Sequence, residues 1–188
     1  GFTTPETHGK WSLRASATGE LVFDNVKVPK QNLLPNKDGL GAPLGCLDSA
    51  RYGIAWGTIG TAMDCYDTAL RYAKERIQFG RPIGSLQAIQ HMCANMLVQL
   101  ESAKSVAYSA VRADTADDLE VEMGAMLAKS YCSEVFNKIA GDNIQVHGGI
   151  GFTWEHPAHL YFKKAKSDSL LLGTPKLARE KIAELLRL

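Results

Sequence analysis

The stretch KERIQFGRPIGSLQ, residues 74–87, sets Arg76 and Arg81 on either side of Phe79-Gly80, where a helical pattern ends. A guanidinium offers forked donors that match phosphate oxygens, and a neighbouring aromatic ring can cover a planar heterocycle. That chemistry is a phosphate clamp; the same arginines can instead complement the negative end of a helix dipole. A second stretch, NIQVHGGIGF at 143–152, carries polar Asn143 and Gln145 into His147-Gly148-Gly149. Adjacent glycines weaken a helix and free the backbone for close approach. They fit a helix C-cap, or main-chain contact with a polar cofactor beside Gln145. They are not a G-x-G-x-x-G dinucleotide fingerprint, because no strand precedes them. A third stretch, WEHPAHL, holds His156 and His159 three apart with Glu155 alongside. A metal would need another ligand at workable spacing and the sequence offers none, so helix-start and packing roles are expected instead. There is no G-x-S-x-G elbow and no recognisable Cys–His nucleophile motif.

Composition bounds these readings. The chain of 188 residues is long enough for one good core and part of a second domain. Lys+Arg 21 against Asp+Glu 20 leaves a net charge of +1, which argues against nucleic acid as the main partner. Cys46, Cys65, Cys93 and Cys132 lie far apart in apolar helical contexts and read as free buried thiols in a reducing compartment. No apolar run is long enough to span a bilayer, and no signal peptide is visible.

The elements that must position the three stretches are mostly helical. Residues 1–38 read as β: KWSLRAS and GELVFDNVKVP alternate on either side of a Thr18-Gly19 turn, with Asp24-Asn25 interrupting the second run as a turn or bulge. Two strands bury too little alone, so they either pack on the helices or are the remnant of a larger sheet. LPNKDGLGAP reads as a linker. Residues 44–78 are helical, and Gly53, Gly57 and Gly60 with Ala50, Ala55 and Ala62 suggest a closely approaching neighbour. Over 86–113, Leu86, Ile89, Cys93, Met96, Leu97, Leu100, Ala103, Ala107 and Ala110 keep the three-and-four spacing of one buried face. ADTADD is a turn, with Asp117 or Asp118 able to cap a helix over about 119–147. Shorter helices follow over about 157–170 and after Thr174-Pro175, with Pro in a tolerated first-turn position. Long helices joined by short loops make an antiparallel bundle. From the residues alone, this is a helical bundle with a β appendage, able to bind an aromatic phosphate.

Along its whole length the chain resembles the acyl-CoA dehydrogenase family. GKWSLRASATGELVFDNVKVPKQNLLP is similar to the end of that family's middle β domain, most closely in its glutaryl-CoA dehydrogenase branch. CLDSARYGIAWGTIGTAMDCYDTALRYAKERIQFGRPIGSLQAIQ continues the likeness into the first two bundle helices. IQVHGGIGFTWEHPAHLYFKKAK is similar to bacterial members that act on varied acyl and steroid-side-chain thioesters. The resemblance implies a mainly α fold, with residues 1–38 ending the middle β domain and residues 39–188 forming the C-terminal helical bundle. It also implies a C-terminal portion of a longer protein, in the bacterial cytoplasm or the mitochondrial matrix.

What the resemblance implies for function is specific. FAD would lie between a subunit and its neighbour in a dimer or tetramer. Arg76, Phe79 and Gln87 match positions at the pyrophosphate and adenosine half, and Gln145, Gly148 and Gly149 match positions contacting that half across the subunit boundary. Thr174 matches a threonine beside the flavin, and Ser16, Asp48 and Arg51 match positions lining the acyl-CoA path. The family removes two hydrogens across the α,β bond of an acyl-CoA and passes electrons to an electron-transfer flavoprotein; the glutaryl branch also decarboxylates. The family's base is a Glu just before Gly-Thr, or in a minority just before the arginine of the first bundle helix. Here those positions are Leu172 and Ala50, and neither can accept a proton. Three expectations follow: an active acyl-CoA dehydrogenase, a catalytically silent partner subunit, or an oligomerising module without activity of its own.

Overall fold

The computed structural model describes residues 1–35, 39–112 and 118–188. The turn expected over 113–117 and the cap expected from Asp117 or the Asp118 side chain lie outside the described residues, as does part of the expected linker. The described residues form two small antiparallel pairs and five α-helices: β1 (Phe2–Thr3) with β2 (Val22–Phe23), α1 (Gly41–Glu75), β3 (Ile77–Gln78) with β4 (Arg81–Pro82), α2 (Gln87–Arg112), α3 (Asp118–His147), α4 (Ala158–Leu170) and α5 (Pro175–Leu185).

The helices follow the periodicity closely. In α1 the buried residues Ala55, Thr58, Ile59, Ala62, Cys65, Ala69 and Ala73 recur three and four apart, one stripe along a 35-residue helix. α1 starts at Gly41, inside the expected linker, and stops at Glu75 because the chain there turns into the β3–β4 hairpin. The face expected on α2 is buried at Cys93, Met96, Leu100, Ala103, Ala107 and Ala110, whereas Leu97 is 40% exposed. α3 packs against α1, α2, α4 and α5 and is the hub of the bundle. Its middle is accordingly buried on nearly every side, with Ala128, Cys132, Phe136, Ile139 and Ala140 at 1% exposure or less. Thr174 caps α5 by accepting from Leu177 N at 3.2 Å, with Pro175 in the first turn.

The N-terminal segment corrects the expected register. The strand partners are Phe2↔Phe23 and Thr3↔Val22, extended by a bridge Glu6↔Gly19. Lys10–Ser16 is therefore a loop and not a strand. Its cause is the Lys10 ammonium, which donates to Leu13 O and Thr18 Oγ1, both at 2.8 Å, and to Ser16 O. Three donors gathering three acceptors close the loop over what would have been a straight run. Asp24-Asn25 is a bend, with Asn25 at φ +49°. Phe2, Leu21, Phe23 and Val28 stay more than half exposed, so these strands do not pack their apolar face on the helices.

The small residues of α1 divide into two sets. Ala55 and Ala62 are buried, while a Cβ built on Gly53, Gly57 or Gly60 meets nothing within 4 Å. Within this chain the alanines are closely approached and these glycines face open space. Among the cysteines, Cys65, Cys93 and Cys132 are buried as expected, whereas Cys46 is exposed near the start of α1.

Candidate functional site

The first group of expected site residues gathers where α1 and α3 end. Arg76 follows α1, its amide donating to Tyr72 O at 2.8 Å. The chain then doubles back through β3 and β4, with Ile83 N returning to Arg76 O at 2.9 Å. Phe79 and Gly80 form the tip at φ +53° and +75°. Two positive φ values are what a tight hairpin turn needs, but a bulky residue there is uncommon and mildly strained. The fold holds Phe79 in that state with its side chain 88% exposed. Arg76 is exposed and forms no ion pair among the described residues. Gln87 stands at the start of α2, also exposed.

The α3 end sits beside it. The ring of Tyr72 lies 4.3 Å from that of His147, and His147 lies 4.3 Å from His156. His147 Nδ1 donates to Asn143 O at 2.8 Å, the role a carbonyl partner dictates, and His156 Nδ1 accepts from Ala158 N at 3.2 Å. Burial holds the His156 pKa below its ordinary value, and His147 and His159 push it the same way. His159 packs edge-on against Trp154, with Lys163 Nζ 3.8 Å above the indole. The three histidines are thus absorbed in ring packing. Past His147, Gly148 has φ +65° and neither it nor Gly149 has any atom within 4 Å of a built Cβ. The close approach in this motif is at Gly151, where a Cβ would meet His147 Cβ and Ile144 O at 2.9 Å. Gln145 is exposed on the last turns of α3. The corner therefore presents a free guanidinium, a bare ring, two amides and open main chain. That donor set fits an anionic group bearing an aromatic ring.

A second group forms near the opposite end of α1. Arg51 Nε donates to Leu172 O at 3.3 Å and pairs with Asp48. Lys129 of α3, 1% exposed, donates to Ser169 O at 3.0 Å and to Gly173 O. Burial lowers the Lys129 pKa to about 8, against the opposing pull of Asp168. Asp48, Arg51, Glu122, Met126, Lys129 and Leu172 line a cleft of about 350 Å³. Thr174 adjoins it and is exposed. Leu172 occupies the left-handed region, φ +55°. Ala50 is exposed, and Asp168 is buried with both carboxylate oxygens taken by Lys164 at 2.8 and 2.7 Å. Ser16 lies in the exposed Gly9–Ala17 loop and is not part of the cleft wall.

Between the groups, twenty-one residues of α1 separate Arg51 from Tyr72, about 30 Å at 1.5 Å per residue. Tyr72 and Lys129 were missed in the sequence reading. Neither type is distinctive at its position, and only the packing of α3 reveals them.

Comparison with known proteins places the chain in a family. Residues 37–186 match the model of the acyl-CoA dehydrogenase C-terminal domain. The mitochondrial short/branched chain specific acyl-CoA dehydrogenase of Rattus norvegicus is 37% identical over 186 residues, covering 98% of this chain and 43% of that protein. Glutaryl-CoA dehydrogenase of Desulfococcus multivorans is 37% identical over 176 residues, 93% of this chain and 45% of that protein. A Mycobacterium smegmatis glutaryl-CoA dehydrogenase in complex with FADH2 superimposes with a TM-score of 0.90 at 34% identity, over 99% of this chain and 48% of that one. The chain thus spans about half the length of the relatives it matches.

Proposed function

Since this chain belongs to the acyl-CoA dehydrogenase family through its C-terminal helical domain, we propose that it is the C-terminal part of an FAD-dependent acyl-CoA dehydrogenase of the glutaryl-CoA dehydrogenase-like kind. The single observation that carries the reading is the open corner at the ends of α1 and α3. Arg76 makes no ion pair among the described residues, Phe79 is strained and bare, and Gly149 is uncovered, while Gly148, at φ +65°, also closes the end of α3.

FAD, when bound, would accept the β hydrogen of the thioester as hydride. Arg76 would supply forked donors to the pyrophosphate, Phe79 would cover the adenosine side, and Gln87 and Gln145 would offer amide hydrogen bonds. Gly148 and Gly149 let main chain approach where a side chain would intrude. Thr174 would stand beside the flavin. Asp48 and Arg51 line the acyl path with Ser16 contributed by the β segment. Residues 1–38 are the end of a middle β domain, a reading supported by their uncovered apolar side chains, and 39–188 are the bundle. Electrons would leave to an electron-transfer flavoprotein.

The α1 distance refines the assembly. Leu172, two residues before Thr174, is held by Arg51, and Arg76 follows Tyr72; about 30 Å of α1 lies between Arg51 and Tyr72, which we read as too long for a single dinucleotide to span within one chain. The Arg76 corner and the Gly148 corner, by contrast, adjoin through Tyr72 and His147. The site is therefore built from Thr174 of one subunit with Arg76, Phe79, Gln145, Gly148 and Gly149 together from its neighbour, in a homodimer or tetramer or with a related subunit.

A second reading has its own observation. Leu172 and Ala50 are apolar at both base positions, Asp168 is committed to Lys164, and Asp48 is paired with Arg51. A subunit retaining cofactor and interface residues without a base would serve beside an active homologue. Full-length protein should be purified, its flavin spectrum recorded, and a panel of acyl-CoAs assayed with a dye acceptor. Bound flavin with turnover supports the first reading, and bound flavin without turnover the second. Protein that stays colourless after FAD is added overturns both.

A further inference from the structure

The sequence gives Lys129 no role: it looks like a surface lysine of α3. The fold buries it to 1% exposure and aims its ammonium at main chain rather than at a carboxylate. The acceptors are Ser169 O, in the last turn of α4, and Gly173 O, in the turn that follows. Carbonyls at a helix C-terminus have no partner within the helix, and Ser169 is itself buried, so water cannot serve. A cation also opposes the negative end of the dipole there. The neighbouring Asp168 carboxylate has both oxygens on Lys164. Arg51 reaches the same turn from α1 through Leu172 O.

Three carbonyls of 169–173 are thus held by two cations on two different helices. Between them Leu172 and Gly173 take φ +55° and +106°. A non-glycine residue in that region costs about 1 kcal/mol or more and persists only when its surroundings impose it. If packing alone mattered, methionine would fill the Lys129 site without the desolvation of a charge.

We propose that Lys129 is a positioning residue whose ammonium fixes the main chain of the 169–173 turn, and with it the direction of the side chain at position 172. The inference rests on the functional reading above only for its use: position 172 is where the family places its base. The scaffold for that base is kept in this chain although leucine stands there.

The test is amide hydrogen exchange on the full-length protein. The reporters are Leu171 N, which donates to Ser167 O at 3.0 Å, and Gly173 N, which donates to Leu170 O at 3.3 Å. Lys129→Met should speed exchange at these two amides by about tenfold, while Lys129→Arg keeps them within about twofold of wild type. Amides of buried Phe136 and Ile139 should be unchanged or slower, since an apolar isostere of a buried charge is often neutral or stabilising. Unchanged exchange at 171 and 173, or equal acceleration at 136 and 139, overturns the proposal. In a Leu172→Glu background, Lys129→Met should lower the rate of flavin bleaching by acyl-CoA about tenfold at saturation with little change in half-saturation. An effect confined to half-saturation counts against it; if Leu172→Glu shows no bleaching, the exchange result decides. Exchange needs neither flavin nor substrate, so a colourless protein defeats the functional reading without touching this one.

Discussion

Tyr72 and His147 stack with ring centroids 4.3 Å apart, and this contact joins the end of α1 to the end of α3. It brings the Arg76–Phe79 hairpin and the Gly148-Gly149 main chain to one end of one bundle. The two clusters read separately in sequence therefore form a single surface, and in the proposed site a partner chain would bring the flavin to it. Replacing Tyr72 with Ala should weaken FAD binding although Tyr72 need not touch the cofactor, and the isosteric Tyr72→Phe should spare it. Flavin titration of the two full-length variants checks this.

The glycines of HGGIG should separate by function. Gly149→Ala adds a Cβ that meets nothing within 4 Å among the described residues, so the stability of the apoprotein should hold within about 0.5 kcal/mol, while FAD affinity falls. Gly151→Ala pushes a Cβ against His147 and Ile144 O at 2.9 Å and should destabilise by about 1–3 kcal/mol. Calorimetry of the apoproteins with flavin titration reads both.

Arg76→Ala should raise the FAD dissociation constant at least about tenfold, and Arg76→Lys should recover only part, because an ammonium lacks the paired donors. The exposed guanidinium also makes the loss smaller at high salt. Fluorescence titration at two ionic strengths measures it.

Lys129 sets a pH dependence. Its folded pKa, about 8, lies below the ordinary 10.5, so the unfolded chain binds more protons between those values. The burial penalty is complete below pH 8 and fades as pH rises toward 10.5. Lys129→Met should therefore gain most over wild type below pH 8, an advantage shrinking by up to about 3 kcal/mol at pH 10.5. Thermal midpoints of both proteins across that range test the sign.

Much of the helical frame was legible from the sequence, because three-and-four spacing survives in α2, few breakers interrupt α1, and Thr174-Pro175 announces α5. Local misreadings came from groups that act at a distance. Lys10 closes a loop over a run that alternates like a strand. The Phe79-Gly80 turn, by contrast, stands where the sequence places it, although nothing in the sequence shows the positive φ of Phe79. Leu97 keeps the period of its face yet points outward. The site divided likewise. Residue types named Arg76, Phe79 and the glycine pair, while the sharing of one corner, and the burial of Lys129 under the 169–173 turn, follow only from how α3 sits among its neighbours.

The central claim is that one FAD is held by Thr174 of one subunit and the Arg76–Gly148 corner of another. Mixed oligomers of full-length Arg76→Ala and Thr174→Val test it most directly. Each variant alone should lose most of its flavin. Co-expressed, mixed pairs contain one site with both defects and one intact, so flavin should return to about a quarter of the wild-type content for a two-fold pair assembled at random. If the co-expressed oligomers bind no more flavin than the separate variants, both residues serve the same chain's site and the account is contradicted.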